Sequence, residues 1–206
     1  MSPPLPKIKI SRSDRTRQKL VEAARKEFGE KGIDASTTRG IAERARCNEV
    51  TLFRHFESKH GLLIAVVKET SEEFLSLCSC NGEHSGDLRK DLTRFATIYD
   101  SSLQRYEGMT RALIGEGHRR PQLVKELIGD VLKPLHKSIS CYLEQMKEEG
   151  RVRNKINTLA FAELLTASLM GGLLRRSDGL SELSKEQWIS EAVEVFVSGI
   201  ETDQPE

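Results

Sequence analysis

The densest chemistry in this chain of 206 residues lies between Ser36 and Lys59. Glu49, Val50, Thr51, Phe53, Arg54 and His55 surround Leu52 and Phe56, whose helical spacing turns that pair inward and leaves the other six outward. The outward set combines a carboxylate that can accept from cytosine N4, an apolar group that can meet a thymine methyl, and cations that can donate to guanine or phosphate. That mixture suits the edges of base pairs better than it suits a merely solvated face. On spacing alone, a plain helical hairpin accounts for the segment equally well.

Other chemistry-bearing groups are sparser. Cys78 and Cys80 with His84 offer thiolates and an imidazole, the ligands of zinc or copper. Residues two apart do not share a helical face, so chelation there requires the helix to end, and free thiols are the expectation. Cys47 reads as a small filler. His118 and His136 can hydrogen-bond a ligand or simply sit satisfied. No Gly-rich phosphate loop, H-E-x-x-H, G-x-S-x-G or paired carboxylates beside a nucleophile occur. No catalytic residue, metal or cofactor is therefore expected, although a helical enzyme with a site built from distant residues stays open.

The elements that must position these groups are helices. Nearly every long segment repeats its apolar residues at helical spacing and none alternates with period two, so the chain reads as all-α. Leu20, Ala24 and Phe28 mark a first helix capped by Ser13 and Asp14 and ended by Gly32. A short second helix opens at Ser36-Thr37 and turns Ile41, Ala42 and Ala45 inward; a third follows Arg46 and Cys47, capped by Asn48. Ser58 caps a longer fourth. Five more are expected at 88–106, 109–117, 122–149, 159–174 and 185–200, about nine in all. The organisation reads as a disordered basic lead over 1–12, a three-helix unit over 13–60 and a helical remainder over 61–206. Two short helices joined by a tight turn make a helix-turn-helix, whose second helix enters the major groove.

Composition agrees with a folded chain: 37% hydrophobic and 31% charged. The longest apolar run, Leu62 to Val67, falls far short of the ~20 residues a bilayer span needs, and Met1-Ser2-Pro3-Pro4 lacks an apolar signal core. A cytoplasmic protein with no membrane partner is expected. The net charge of +1 conceals a polarity: residues 1–59 hold 14 Lys/Arg against 8 Asp/Glu, whereas residues 60–206 hold 18 against 23. A basic N-terminal third is the footprint of a surface that neutralises phosphates.

Beyond residue 87, more apolar side chains recur than one buried stripe requires. Phe95, Tyr99, Leu103, Leu132, Leu135, His136, Ile139, Leu165 and Leu169 are candidates to line a small-molecule pocket. Leu164, Ala167, Ser168, Gly171 and Gly172, with Trp188, Ala192, Val195, Phe196 and Ile200, form two faces near the chain end that suit a twofold homodimer.

The stretch from Arg17 through Leu63 resembles the N-terminal signature of the TetR family of transcriptional regulators. It contains Ala23-Ala24-x-x-x-Phe28-x-x-x-Gly32, Thr37-Thr38, Ile41-Ala42, Thr51-Leu52-Phe53-x-His55-Phe56 and Lys59-x-x-Leu62. Glu116-x-x-Arg119-x-Pro121-x-Leu123 adds a looser similarity. The resemblance implies a helix-turn-helix domain of three helices, a linking fourth, and a ligand-binding and dimerising domain of five. It implies a repressor bound as a homodimer to a palindromic double-stranded DNA operator and released by a small molecule; the apolar helices beyond residue 87 make that effector a small apolar one, and the fourth helix, which crosses the boundary from Lys59, is the expected transmitter. It places Thr38 and Arg39 at phosphate, Asn48, Glu49, Val50, Thr51, Phe53, Arg54 and His55 on the recognition helix, and Lys59 at phosphate beside a helix N-terminus. Arg46 stands where the family usually has Gly, Phe53 where it has Tyr, and Val50 where it often has Gly. A thiol- or metal-sensing regulator built on Cys78 and Cys80 is the alternative.

Overall fold

The computed structural model describes residues 11–78 and 84–202. Nine helices are present among them: α1 (Arg12–Lys31), α2 (Thr38–Arg44), α3 (Glu49–Phe56), α4 (Lys59–Cys78), α5 (Leu88–Arg105), α6 (Glu107–Arg119), α7 (Pro121–Glu148), α8 (Thr158–Ser177) and α9 (Lys185–Ser198). An isolated antiparallel bridge, Val152 to Glu201, is the only β pairing among the described residues. The chain divides into two compact units, one running to Glu69 and taking in Gly108–Pro121, the other made of Thr70–Glu107 and the chain from Gln122 onward. The first unit is larger than the 13–60 stretch read from the sequence, because the first half of α4 and most of α6 join it.

In the first unit the caps set the helix starts. Ser11, rather than Ser13, caps α1: its hydroxyl accepts from Asp14 N at 3.1 Å and Asp14 accepts from Ser11 N at 3.2 Å. This reciprocal box satisfies two otherwise orphaned groups at once, which Ser13, two residues further in, cannot do. The expected lead over 1–12 therefore loses Ser11 and Arg12 to α1, and its first ten residues lie outside the described part. Thr37 caps α2 alone; Ser36 is buried and donates to the carbonyls of Glu27 (3.0 Å) and Gly32 (2.6 Å). The core holds Leu20, Ala24, Phe28, Ile41, Ala42, Ala45, Leu52 and Phe56, the inward set expected from spacing. Glu27, buried beneath α2, is held by Lys31 and by Arg44 Nε at 3.2 Å, which answers the cost of removing a carboxylate from water.

The second unit packs α5, α8 and α9 against one another with part of α7. Its core runs from Phe74 through Leu92, Phe95, Tyr99, Leu143 and Leu165 to Val193 and Val197. α8 is long and apolar enough to cross a membrane by length and composition, with a mean hydropathy of 1.2. Here Phe161, Leu165, Leu169 and Leu173 spend that apolarity in the core of the unit.

Candidate nucleic-acid interface

The helix-turn-helix is built from α2 and α3 and from what lies beneath them. Ala45 closes α2, and Arg46 then adopts φ 55°, the left-handed conformation that turns the chain sharply. The turn is thus left-handed, as a glycine there would make it, but with a side chain attached. Cys47 is half-buried, and burial pushes its thiol pKa up, so it is no reactive thiolate. Asn48 then caps α3, its side chain accepting from Val50 N at 2.9 Å. With Leu52 and Phe56 buried, Val50 is 72% exposed and Phe53 43% exposed. Arg54 is exposed, while Glu49, Thr51 and His55 are half-buried. An exposed valine and phenylalanine on one short helix are costly in water and useful against thymine methyls.

The flanking polar groups are pre-ordered. Thr38, on the first turn of α2, donates its hydroxyl to Glu49 Oε1 at 2.6 Å and so holds the carboxylate at the start of the recognition helix. Arg39 donates from Nε to Glu43 at 2.9 Å, and that bond raises its pKa further. His55 Nε2 is buried without a hydrogen-bond partner, so a donor or acceptor must approach it or the group stays unsatisfied.

Lys59 opens α4 immediately after the α3 corner. Glu57 takes φ 62° there, and Gly61 is obligatory, since a Cβ would stand 2.2 Å from the carbonyl oxygen of Phe56. Ser58 caps α4 by accepting from Gly61 N at 3.0 Å. Lys59 Nζ donates to the carbonyl of Asp34, in the α1–α2 loop, at 3.1 Å. Asp34 is the residue that sequence reasoning missed. Its carboxylate accepts from Arg119 (2.6 Å) and Arg120 (3.0 Å) at the end of α6, and buried Glu116 lies 3.7 Å from both arginines. The Glu116-x-x-Arg119 pattern therefore braces the loop that carries the partner of Lys59, across a separation of 85 residues that no local pattern reveals.

The candidate pocket residues converge in the second unit. Phe95, Tyr99, Leu103, Leu135, Ile139, Leu165 and Leu169 share one apolar cluster, and Leu132 is half-buried. His136 is buried, with Nε2 2.9 Å from Thr166 Oγ1, and burial lowers its pKa against a smaller opposing effect of Glu163. Of the candidate dimer residues, Leu164 is 62% exposed, and Ser168, Gly171, Trp188, Ala192 and Phe196 are half-buried. Two depart from expectation. Ile200 is buried within the core of its own unit, and Gly172 lies against Trp188, whose Nε1 would stand 2.1 Å from a Cβ. Val195, 70% exposed, presents the apolar surface that Ile200 does not. Cys80 and the thiol of Cys78 lie outside the described residues, and no group of three metal-ligating side chains occurs among the described ones.

This geometry defines a helix-turn-helix DNA-binding module joined to an all-helical second unit. Residues 20–66 match the family described as bacterial regulatory proteins, tetR family, and residues 90–199 match the C-terminal domain of AefR-like transcriptional repressors. The chain belongs to the TetR family of DNA-binding transcriptional regulators. The helix-turn-helix-type regulator YvkB of Bacillus subtilis is 27% identical over 194 residues, spanning 91% of this chain and 98% of that protein. UidR of Escherichia coli is 25% identical over 91% of this chain and 93% of its own length. Among solved structures, Salmonella enterica GusR superposes with a TM-score of 0.76 at 20% identity, covering 92% of this chain and 99% of that one. These relatives are regulators, not enzymes.

Proposed function

We propose that the protein is a repressor that binds a pseudo-palindromic operator as a homodimer and leaves it when a small, mostly apolar molecule enters the second unit. The observation that carries the DNA-binding half is the exposed, partly apolar face of α3 between two pre-ordered polar groups, Glu49 held by Thr38 and Lys59 held by the Asp34 carbonyl. Repression is supported by the similarity of residues 90–199 to a repressor domain. Dimerisation through α8 and α9 is supported by Leu164 and Val195, which put bulky apolar groups into water, Leu164 on the same face of α8 as the small Ser168 and Gly171. A twofold interface hides such a face and matches a palindromic operator.

The effector reading is supported by the cluster of Phe95, Tyr99, Leu135 and Leu165, with His136 and Thr166 as the polar pair beside it. A ligand entering there must part these contacts, so binding and rearrangement are coupled, and only a molecule that favours one arrangement shifts the equilibrium. α4 is the continuous helix that carries Lys59 in one unit and Phe74 in the other, which makes it the transmitter. The test is selection of duplexes from a random pool, followed by affinity and mass measurements on the complex. Two protomers on one selected site are expected; equal affinity for random and selected duplexes at physiological salt refutes operator recognition.

A further inference from the structure

We propose that the cleft between α1 and the α2–α3 turn is a phosphate-binding site separate from the recognition helix. The cleft measures about 590 Å³, within the size range of small-ligand sites. Its lining includes Arg15, Lys19, Lys26, Arg44 and Arg46, with Glu22 as the one acidic side chain. Two of the five cations are already engaged. Arg44 is tied to Glu27 and Glu30, and Lys26 lies 3.5 Å from Glu22. Arg15, Lys19 and Arg46 are exposed and make no ion pair among the described residues. Three uncompensated cations around a concavity floored by the buried methyls of Ala23 and Ala45 concentrate positive potential there.

The second observation is the backbone of Arg46. Its φ of 55° is a conformation that glycine adopts freely and a residue with a Cβ does not. The turn demands that conformation whatever residue stands there, so it is the arginine in place of a glycine, at a position whose side chain lines a basic cleft, that points to a use for the side chain. One isolated charge would need one cation; three suit a ligand bearing two or more phosphate groups, each taken by a guanidinium or an ammonium. That chemistry is supplied either by successive backbone phosphates of DNA beside the half-site or by a free polyphosphate. The DNA source rests on the proposed operator reading, whereas the free-polyphosphate source does not, since the cleft shares no residue with α3.

Arg46→Gly separates binding from folding, since it removes the cation and relieves the backbone together. Its thermal midpoint is expected to rise while phosphate binding falls. Arg15→Gln/Lys19→Gln in the same background removes the other two cations that have no ion-pair partner, leaving the paired Lys26 and Arg44. Two measurements then distinguish the sources. If the ligand is DNA, the slope of log affinity against log salt for a random 40-base-pair duplex falls by about 1.8 for each phosphate lost per protomer, since the dimer loses two. If it is a free anion, inorganic tripolyphosphate binds the wild-type protein saturably in a calorimeter and at least tenfold more weakly in the triple variant, with the duplex slope unchanged. A lower midpoint in Arg46→Gly removes the strain argument. An unchanged slope together with unchanged or absent tripolyphosphate binding overturns the site.

Discussion

Replacing Lys59 by alanine tests the central geometry most directly. The ammonium is held against the Asp34 carbonyl at 3.1 Å, at the first residue of a helix capped by Ser58, so both its position and the helix-end partial charge favour a phosphate there. One phosphate contact per protomer makes two per dimer, and counterion release then assigns the pair about 1.8 of the slope of log affinity against log salt. Between 50 and 200 mM salt, that share corresponds to about a tenfold fall in affinity that the variant no longer shows. The preferred sequence is expected to stay the same, because a phosphate contact carries no base information. Loss of the bond to Asp34 also costs about 1 kcal/mol of stability. Lys59→Gln keeps a donor without the charge and so isolates the electrostatic part. Fluorescence anisotropy on a selected and a random duplex across a salt series, with a urea melt of each variant, reads all of this. An unchanged slope, or a shifted base preference, shows that Lys59 does not sit at phosphate.

Glu49→Gln is expected to move one operator position from C toward A, since a carboxamide pairs with adenine where a carboxylate accepts from cytosine, and Thr38→Val, which releases Glu49, is expected to blur that position by part of the ~1–3 kcal/mol such a contact supplies; duplex selection with each variant checks both. Gly172→Ala drives a methyl into the indole of Trp188, the only tryptophan, and despite a gain of ~1 kcal/mol in helix propensity it is expected to destabilise by about 2 kcal/mol and shift the tryptophan emission. Gly171→Ala meets nothing within 4 Å in its own chain and is expected to leave the fold as stable or more so, but to weaken dimers if α8 forms the interface, which sedimentation measures. Burial lowers the His136 pKa, so the unfolded chain takes up the proton more readily than the folded one; stability is expected to fall as pH drops below the ordinary 6.5, and His136→Gln should flatten that part of the profile in pH-dependent melts.

The features legible in the sequence are those decided within one turn of helix or by a repeating stripe. Ile41, Ala42, Ala45, Leu52 and Phe56 are buried as their spacing requires, and Asn48 and Ser58 cap because their acceptors and the orphaned N–H groups lie two or three residues apart. Ser11 shows the limit of even that reasoning. Ser11, Ser13 and Asp14 are all good cap formers, and what separates them is the reciprocal pairing of 11 with 14, a Ser-x-x-Asp spacing present in the sequence but weaker to the eye than the apolar stripe beginning at Leu20.

What stayed hidden depends on which of two neighbours a side chain meets. The apolar stripes of α8 and α9 are wider than either helix needs for one contact, and nothing in their residue types divides the part that packs inward from the part left outside. Ile200 and Gly172 fell on the inner side, and Val195 on the outer. Asp34 was hidden for a related reason: an acidic residue in a loop between two helices reads as solvated, and its role follows only when α6 returns Arg119 and Arg120 to it. Arg46 is the opposite case. An arginine there left two outcomes open, a tolerated left-handed turn or a different turn; the buried pairs on either side, Ala45 with Ile41 and Leu52 with Phe56, require the chain to turn that sharply, and packing overrode a local preference worth about 1 kcal/mol.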